Sequence, residues 1–464
     1  MALYLHLLLR LVIISTHLIN SRITMSRIGF HYYPDTQHYS QEDLSIWLPE
    51  LLNLGASWLT LIASSKRAIP ESFITTLIDA EIEPVLHFIE LIETGFNEED
   101  FRLLLRNYAR WGVRYITVYE KPNCRSSWSA SSWSQSNLVE RFLDIYIPIA
   151  SIIIEENLIP VFPPLQPGGD FWDTAFLRKS LEGLIRRGQQ LILNNLVIGA
   201  YAFAGNRPLN WGEGGPEIWS GARPYEIVSG MQDQIGFRIF DWYSKILKEV
   251  AGRVLPIILL RAGCSPGDRN DLTWPALDED AQASRILEII NLMDSPKNKG
   301  SQDIPVPYEV LACNFWLLAA GETGKYEREA WFKNNLDCVP VVSQMRRWVT
   351  EKEQDSSQND EVRKLKKKIS SNGNGENANV DLFSHYLLLP LYTWGIADWD
   401  FEIIKPFVEE HHPTIGFSIS EASMASRVTI AGNKNSFSED VVQLLRDAGC
   451  AVQRLGEDGI LVAS

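Results

Sequence analysis

The sequence predicts an α/β protein: a closed (β/α)8 TIM barrel followed by a small α/β domain. Three observations lead there. From Ile28 onward, short near-continuous apolar runs alternate with longer stretches whose apolar residues recur at helical spacing; this switch of period is the mark of parallel βα units. Eight such units fit into roughly 320 residues, the number and size of one barrel. A polar tract then interrupts the pattern, and a shorter α/β-patterned segment follows it.

The Val-, Ile- and Leu-rich runs place strands at 28–33, 57–63, 83–88, 114–119, 159–163, 195–202, 255–260 and 309–316. Helical spacing places helices near 41–54, 71–80, 98–111, 137–156, 174–193, 232–250 and 278–293, with a last one at about 338–349. An open doubly wound sheet is the alternative. No Gly-x-Gly-x-x-Gly follows the first strand, so no dinucleotide site is signalled and no cofactor is expected.

The chain has 464 residues, enough for a barrel over 27–350 and a second domain. Its 45% hydrophobic and 22% charged content is that of a soluble globular protein. A formal charge of −15 argues against nucleic acid as a partner, which calls for a basic face. Five scattered cysteines without CxxC spacing argue against a disulfide framework and a metal site, and fit a reducing compartment. His31 and His87 share no metal-ligand spacing. Localisation is read as cytoplasmic. Leu3 to Ile19 is apolar but interrupted by His6, Arg10 and His17. Met25 stands directly before the first strand, so 1–24 is read as an upstream extension. An atypical anchor or export signal is the alternative, and no membrane partner is expected otherwise.

Residues 351–382 are polar and include Lys364-Leu365-Lys366-Lys367-Lys368 and Ser370-Ser371-Asn372-Gly373-Asn374-Gly375, which reads as a flexible linker. The segment 383–464 opens with the strand-like Tyr386-Leu387-Leu388-Leu389. Val428 to Gly432 then reads as strand and turn, Ser438 to Gly449 as a helix with an N-cap serine and a C-terminal glycine, and Cys450 to Leu455 as a strand. This βαβ unit resembles a single repeat of the bacterial cell-wall-binding type over residues 428–455, with Asn433 where the repeat has its second glycine. It implies a small flavodoxin-like module.

Polar and aromatic residues gather after the strand ends, where a barrel's active site lies. They include His31, His87, Glu120, Lys121, Asn123, Asp170, Trp172, Tyr201, Trp211, Glu213, Arg261, Asn314 and Trp316. Aromatic faces with Asn, Asp and Arg between them suit a sugar, which offers C–H faces for stacking and hydroxyls for paired hydrogen bonds. Tyr119-Glu120-Lys121-Pro122-Asn123 closes the fourth strand and resembles the Asn-Glu-Pro signature of retaining glycoside hydrolases built on (β/α)8 barrels. Here Tyr119 replaces the Asn and Lys121 is inserted before the Pro. The resemblance covers roughly 27–350. It implies a carbohydrate or glycan ligand, with Glu120 as acid/base, Tyr201 at the sixth strand orienting the nucleophile, and Trp316 at the eighth flooring a sugar subsite.

The seventh strand departs from that pattern. It runs Leu255-Pro256-Ile257-Ile258-Leu259-Leu260-Arg261-Ala262-Gly263-Cys264, with Arg261 where those enzymes carry a nucleophilic Glu. Retaining hydrolysis needs two carboxyl groups about 5–5.5 Å apart. Three readings stay open. Another carboxylate (Glu213, Asp170 or Glu322) serves with Glu120; or the barrel is a non-catalytic glycan binder with a Glu120–Arg261 ion pair; or the pocket takes an anionic substrate on Arg261 and Lys121. His31, Asn123, Asp170, Trp172, Trp211 and Glu213 are expected to contact the ligand. Cys264 reads as a structural thiol rather than a nucleophile.

Overall fold

Eight strands form the core of the computed structural model: β1 (Ile28–His31), β2 (Trp58–Ala63), β3 (Glu83–Phe88), β4 (Tyr115–Val118), β5 (Ile159–Phe162), β6 (Val197–Phe203), β7 (Ile257–Gly263) and β8 (Val310–Phe315). All pair in parallel with their neighbours and close into a barrel, β1 meeting both β2 and β8. The structure describes residues 26–294, 304–321, 325–333, 337–352, 385–390, 398–411, 413–416, 419–423, 425–431, 437, 439–455 and 461–462. The proposed upstream extension 1–24, nearly all of the polar tract, Glu322 and Ser438 therefore lie outside the described residues.

Alternation decides what each strand buries. Outward residues such as Phe30, Leu59, Leu61, Leu86, Ile116 and Val118 join one core with the helices. Those helices are α1 (Gln41–Asn53), α2 (Glu71–Asp79), α3 (Glu98–Arg110), α4 (Leu138–Glu155), α5 (Asp173–Arg186), α6 (Ile239–Ala251), α7 (Glu279–Asp294) and α8, residues 340–352. Inward residues Trp58, Val85, Tyr115, Val161, Val197, Ile258, Leu260, Leu311 and Ala312 plug the barrel from within. Gly199 makes room for that plug: a Cβ there would sit 2.9 Å from the Leu260 side chain and 2.6 Å from the Phe162 carbonyl.

Two helices differ from expectation. The helix expected over 174–193 breaks at Gly188, whose φ of +68° is left-handed. Gly188 N–H donates to Ile185 C=O and Gln189 N–H to Leu184 C=O, the paired bonds of a Schellman stop. A separate short helix, Gln190–Asn195, follows. The helix expected from 232 begins only at Ile239, because Asp233 is spent on a loop junction. Its Oδ1 accepts from Ile235 N–H, the Trp211 indole and Arg207 Nη1 at 2.8–3.0 Å. A two-stranded ribbon, Ala222–Arg223 with Glu226–Ile227, lies in the same excursion.

The chain divides into two compact units, one of Ser21–Asn359 and one that includes Asp360–Ser464. The second unit holds β9 (Tyr386–Leu388), α9 (Asp398–His411), β10 (Thr414–Gly416), β11 (Arg427–Ala431), α10 (Glu439–Asp447), β12 (Ala451–Leu455) and β13 (Leu461–Val462). Its sheet runs β10–β9–β11–β12–β13, parallel except for β13. The first four strands follow the order of flavodoxin-like doubly wound sheets. Both faces of β9 are buried, Tyr386 and Leu388 in one cluster and Leu387 in another with Ile404 and Phe407. That accounts for its unbroken apolar sequence.

Candidate functional site

Glu120 lies two residues beyond the end of β4 and is flanked by two left-handed residues, Tyr119 at φ +66° and Lys121 at φ +51°. For a side chain with a Cβ that conformation costs about 1–2 kcal/mol each. Neighbouring strands hold it in place. Tyr119 N–H donates to Phe88 C=O at 2.8 Å, Tyr119 C=O accepts from His87 Nε2 at 2.8 Å, and Lys121 N–H donates to Pro164 C=O at 2.9 Å. Such backbone strain persists only where the surrounding structure over-determines it.

The Glu120 carboxylate is met from β6 and β7. Tyr201 Oη donates to Oε1 at 2.5 Å and Arg261 Nη1 lies 2.9 Å from the same oxygen. Lys121 Nζ stands 3.8 Å away. Strict alternation along β7, with Ile258 and Leu260 inward, would turn Arg261 outward to the helices. A bulge prevents this. Ala200 pairs with Leu259 but the next residue, Tyr201, pairs with Arg261; on the other side Cys313 pairs with Leu259 and Phe315 with Ala262. The extra residue brings Arg261 round into the mouth, as bulges beside sites commonly do. Its guanidinium carbon then lies 4.1 Å from the Trp316 ring centroid and 4.9 Å from that of Tyr201.

Burial pushes the Glu120 carboxyl up, but Arg261, then Lys121, His87 and the Tyr201 hydrogen bond outweigh it and leave the pKa below its usual value. The group is ionised at neutral pH, the opposite of what a general acid needs. Burial drives His31 well below an ordinary histidine and His87 down to about 4, so both rings are neutral. The Cys264 thiol is pushed up to about 12, mainly by burial, and is no nucleophile.

Glu120, Tyr201, Arg261, Trp316 and His31 come together, His31 meeting Trp316 edge-on at 4.6 Å. Trp316 does not offer the open floor expected of it. Only 3% exposed, it has Arg261 against its ring and gives its indole N–H to Glu329. Asn123 is also no ligand contact. It is fully buried, its Nδ2 donating to Gln166 and Phe171 carbonyls and its Oδ1 accepting from Gln166 N–H, so it clamps the β4 and β5 loops together. Asp170 caps Arg125 N–H at 2.8 Å in that junction.

The remaining expected contacts belong elsewhere. Trp172 packs on Tyr225 at 5.4 Å and lines a cleft of about 260 Å³ with Arg178, Arg223, Gln234 and Trp242. Trp211 stacks under Arg207 at 4.4 Å in the Asp233 junction. Glu213 lies 3.6 Å from buried Arg238 and lines a different cleft of about 290 Å³ with Asn210, Arg285 and Ile304. Position after a strand end placed these residues in loops, but those loops run over other parts of the barrel.

Sequence reasoning missed Thr60, Thr117 and Glu329. The two threonines carried a usable signal, since each lies two residues beyond an inward apolar residue, Trp58 or Tyr115, on the same face of its strand. Glu329 carried none. Among the described residues no group of three or more His, Cys, Asp or Glu could hold a metal ion. None of the described helices is long and apolar enough to cross a membrane.

Together these features define a (β/α)8 barrel protein with a charged site at the carboxyl ends of its strands. No family model and no curated protein matches the sequence. Solved structures similar to it include a family 39 glycoside hydrolase from Bacteroides cellulosilyticus WH2, with TM-score 0.44, 9% identity, and coverage of 68% of this chain and 63% of that one. Others are a GH128 (subgroup II) endo-β-1,3-glucanase from Sorangium cellulosum (TM-score 0.39, 13% identity, 69% and 97% covered) and xylanase 10B from Thermotoga maritima (TM-score 0.40, 11% identity, 71% and 96% covered). The chain thus spans less than two thirds of the length of the first of these.

Proposed function

We propose that the barrel binds a carbohydrate at the mouth formed by Glu120, Lys121, Tyr201 and Arg261, without hydrolysing it by the two-carboxylate retaining route. The observation that carries this reading is the 2.9 Å pair between Arg261 Nη1 and Glu120 Oε1. A cation occupies the place from which a nucleophilic carboxylate would act. It keeps Glu120 charged, and it would oppose the positive charge of an oxocarbenium-like transition state. Glu120 remains a good acceptor for sugar hydroxyls, Lys121 is a donor beside it, and Phe203 supplies a half-buried ring at the end of β6.

Titration calorimetry of the full chain against soluble neutral and uronic oligosaccharides tests the reading. Binding of one class, weakened at least fivefold by Lys121→Ala and by Glu120→Gln, is the expected result. Absence of binding across the panel would sink it. A second reading, hydrolysis by Glu120 with another carboxylate, draws on Glu329, which accepts the Trp316 indole N–H. It requires turnover that disappears in both Glu120→Gln and Glu329→Gln. The likeness of 428–455 to a cell-wall-binding repeat suggests a glycan polymer for the second unit as well, tested by co-sedimentation of the full chain with insoluble cell-wall polysaccharide.

A further inference from the structure

Directly below the Glu120–Arg261 pair, the barrel interior changes character. Five neighbouring strands, β8 and β1 to β4, each follow an inward apolar residue of the plug, or an inward glycine at β1, with a polar one two positions later. Gly29 is followed by His31, Trp58 by Thr60, Val85 by His87, Tyr115 by Thr117 and Ala312 by Asn314. Two residues of strand advance the chain about 6–7 Å toward the mouth, so these five lie above the plug on neighbouring strands, in a polar layer staggered by the strand register. All five are fully buried. Register places His31 beside Thr60 and His87 beside Thr117. Gly29 belongs to the same arrangement: a Cβ there would lie 2.3 Å from Asn314 Oδ1.

The layer holds polar atoms with no hydrogen-bond partner in the protein: both ring nitrogens of His31, Thr60 Oγ1, His87 Nδ1, Thr117 Oγ1 and Asn314 Oδ1, with Arg261 Nε above them. Buried polar groups are rarely left this way, and a concentration of them on neighbouring strands marks a place built for something polar. Their chemistry says what. His87 Nε2 faces a carbonyl, which can only accept, so its proton is on Nε2 and Nδ1 is a lone pair. Asn314 Nδ2 donates to Leu259 C=O, leaving Oδ1 as an acceptor. Arg261 Nε is a donor, neutral His31 offers one donor and one acceptor, and each threonine hydroxyl does either. An anion would meet two obligate acceptors and a bare cation would meet Arg261. Only groups that both donate and accept satisfy the set.

We propose that this layer is a hydroxyl-binding chamber in the floor of the site, filled by neutral O–H groups, either of ordered water or of a bound sugar. The sugar source rests on the carbohydrate-binding reading above; the water source does not. The test uses Thr60→Val and Thr117→Val in the full chain, which remove a hydroxyl at constant shape, with Thr117→Ser keeping the hydroxyl as control. Urea unfolding in glycan-free buffer and affinity for the best oligosaccharide are read on each.

If water fills the chamber, each valine variant lowers the folded-to-unfolded ratio about tenfold without ligand, because a hydrogen-bonded hydroxyl is lost. Thr117→Ser retains most of that ratio. If the sugar supplies the hydroxyls, stability without ligand is unchanged or raised, because the hydroxyl is unpaired there, and affinity falls about tenfold. Valine variants that are as stable as or more stable than the parent, with affinity unchanged, would mean a dry, unfilled layer and would overturn the proposal. Should no oligosaccharide bind at all, the carbohydrate reading fails and the unfolding comparison alone still decides for or against water.

Discussion

Two glutamate–arginine pairs lie at opposite ends of the barrel, and they differ in backbone, burial and charge. At the bottom, Glu83 opens β3 and is bound by Arg114, whose Nε donates to Oε2 at 2.8 Å. At the top, Glu120 meets Arg261 at 2.9 Å. In the bottom pair Glu83 opens a paired strand, with left-handed Glu81 two residues before it, and Arg114 reaches water. The top pair stands on two left-handed residues and a bulge, and its arginine is inside. Burial raises the Glu83 carboxyl, and the Arg114 hydrogen bond and charge offset this only in part. At Glu120 burial is overcome by two cations, His87 and the Tyr201 hydroxyl, and the shift is downward. Buried pairs of the first kind often add little stability. The second arrangement concentrates charge control on one oxygen, as a site requires.

Breaking each pair should give different losses. Arg114→Ala leaves Glu83 buried and unpaired, and should cost about 2–3 kcal/mol in urea unfolding, less than a fully buried pair because Arg114 is 43% exposed. Glycan affinity should stay within about twofold. Arg261→Met should cost less stability, about 1–2 kcal/mol, since Lys121 and the Tyr201 hydroxyl remain beside Glu120. Its effect belongs to the site: with its strongest cation gone, the carboxyl should titrate well above its present position, measured by carbon NMR of Glu120 against Glu120→Gln. Titration unchanged from the parent would show that Arg261 does not govern the charge.

The pairs should also respond to pH in opposite directions. Glu120 is lowered in the folded state, so its contribution is present above the unfolded value of 4.5 and is lost as pH falls through the folded one. Glu83 is raised, so the folded state favours its protonated form and stability from it falls as pH rises from 4.5 through its folded value. Comparing parent, Glu120→Gln and Glu83→Gln in unfolding from pH 3 to 7 should show the two differences bending in opposite senses. The smallest effect is expected from Lys121→Gly, which removes left-handed strain but adds unfolded-state freedom. It should raise stability by about 0–1 kcal/mol while weakening ligand binding.

The barrel was legible in the sequence because burial on both faces writes an unbroken apolar run into each strand and helical spacing between them. All eight strands lie at or within a few residues of their expected places. Glu120, Tyr201, Arg261 and Trp316 were legible as strand-end residues, since one edge of a parallel barrel gathers all such ends. The β7 bulge was not, because alternation along one strand carries no record of its neighbours' register. Nor was the fate of Asn123, Trp172, Trp211 and Glu213. Their loops fold back on clefts and junctions of their own, through bonds such as Trp211 to Asp233 that no local pattern announces.

Proton NMR of an oligosaccharide ligand incubated with the full chain tests the central claim, that the Glu120–Arg261 mouth holds a sugar and does not cleave it. Saturation transfer from the protein to the sugar, with its anomeric signals unchanged through prolonged incubation, is the result predicted here. Anomeric signals of shorter products that appear with the parent chain and vanish with Glu120→Gln would contradict it.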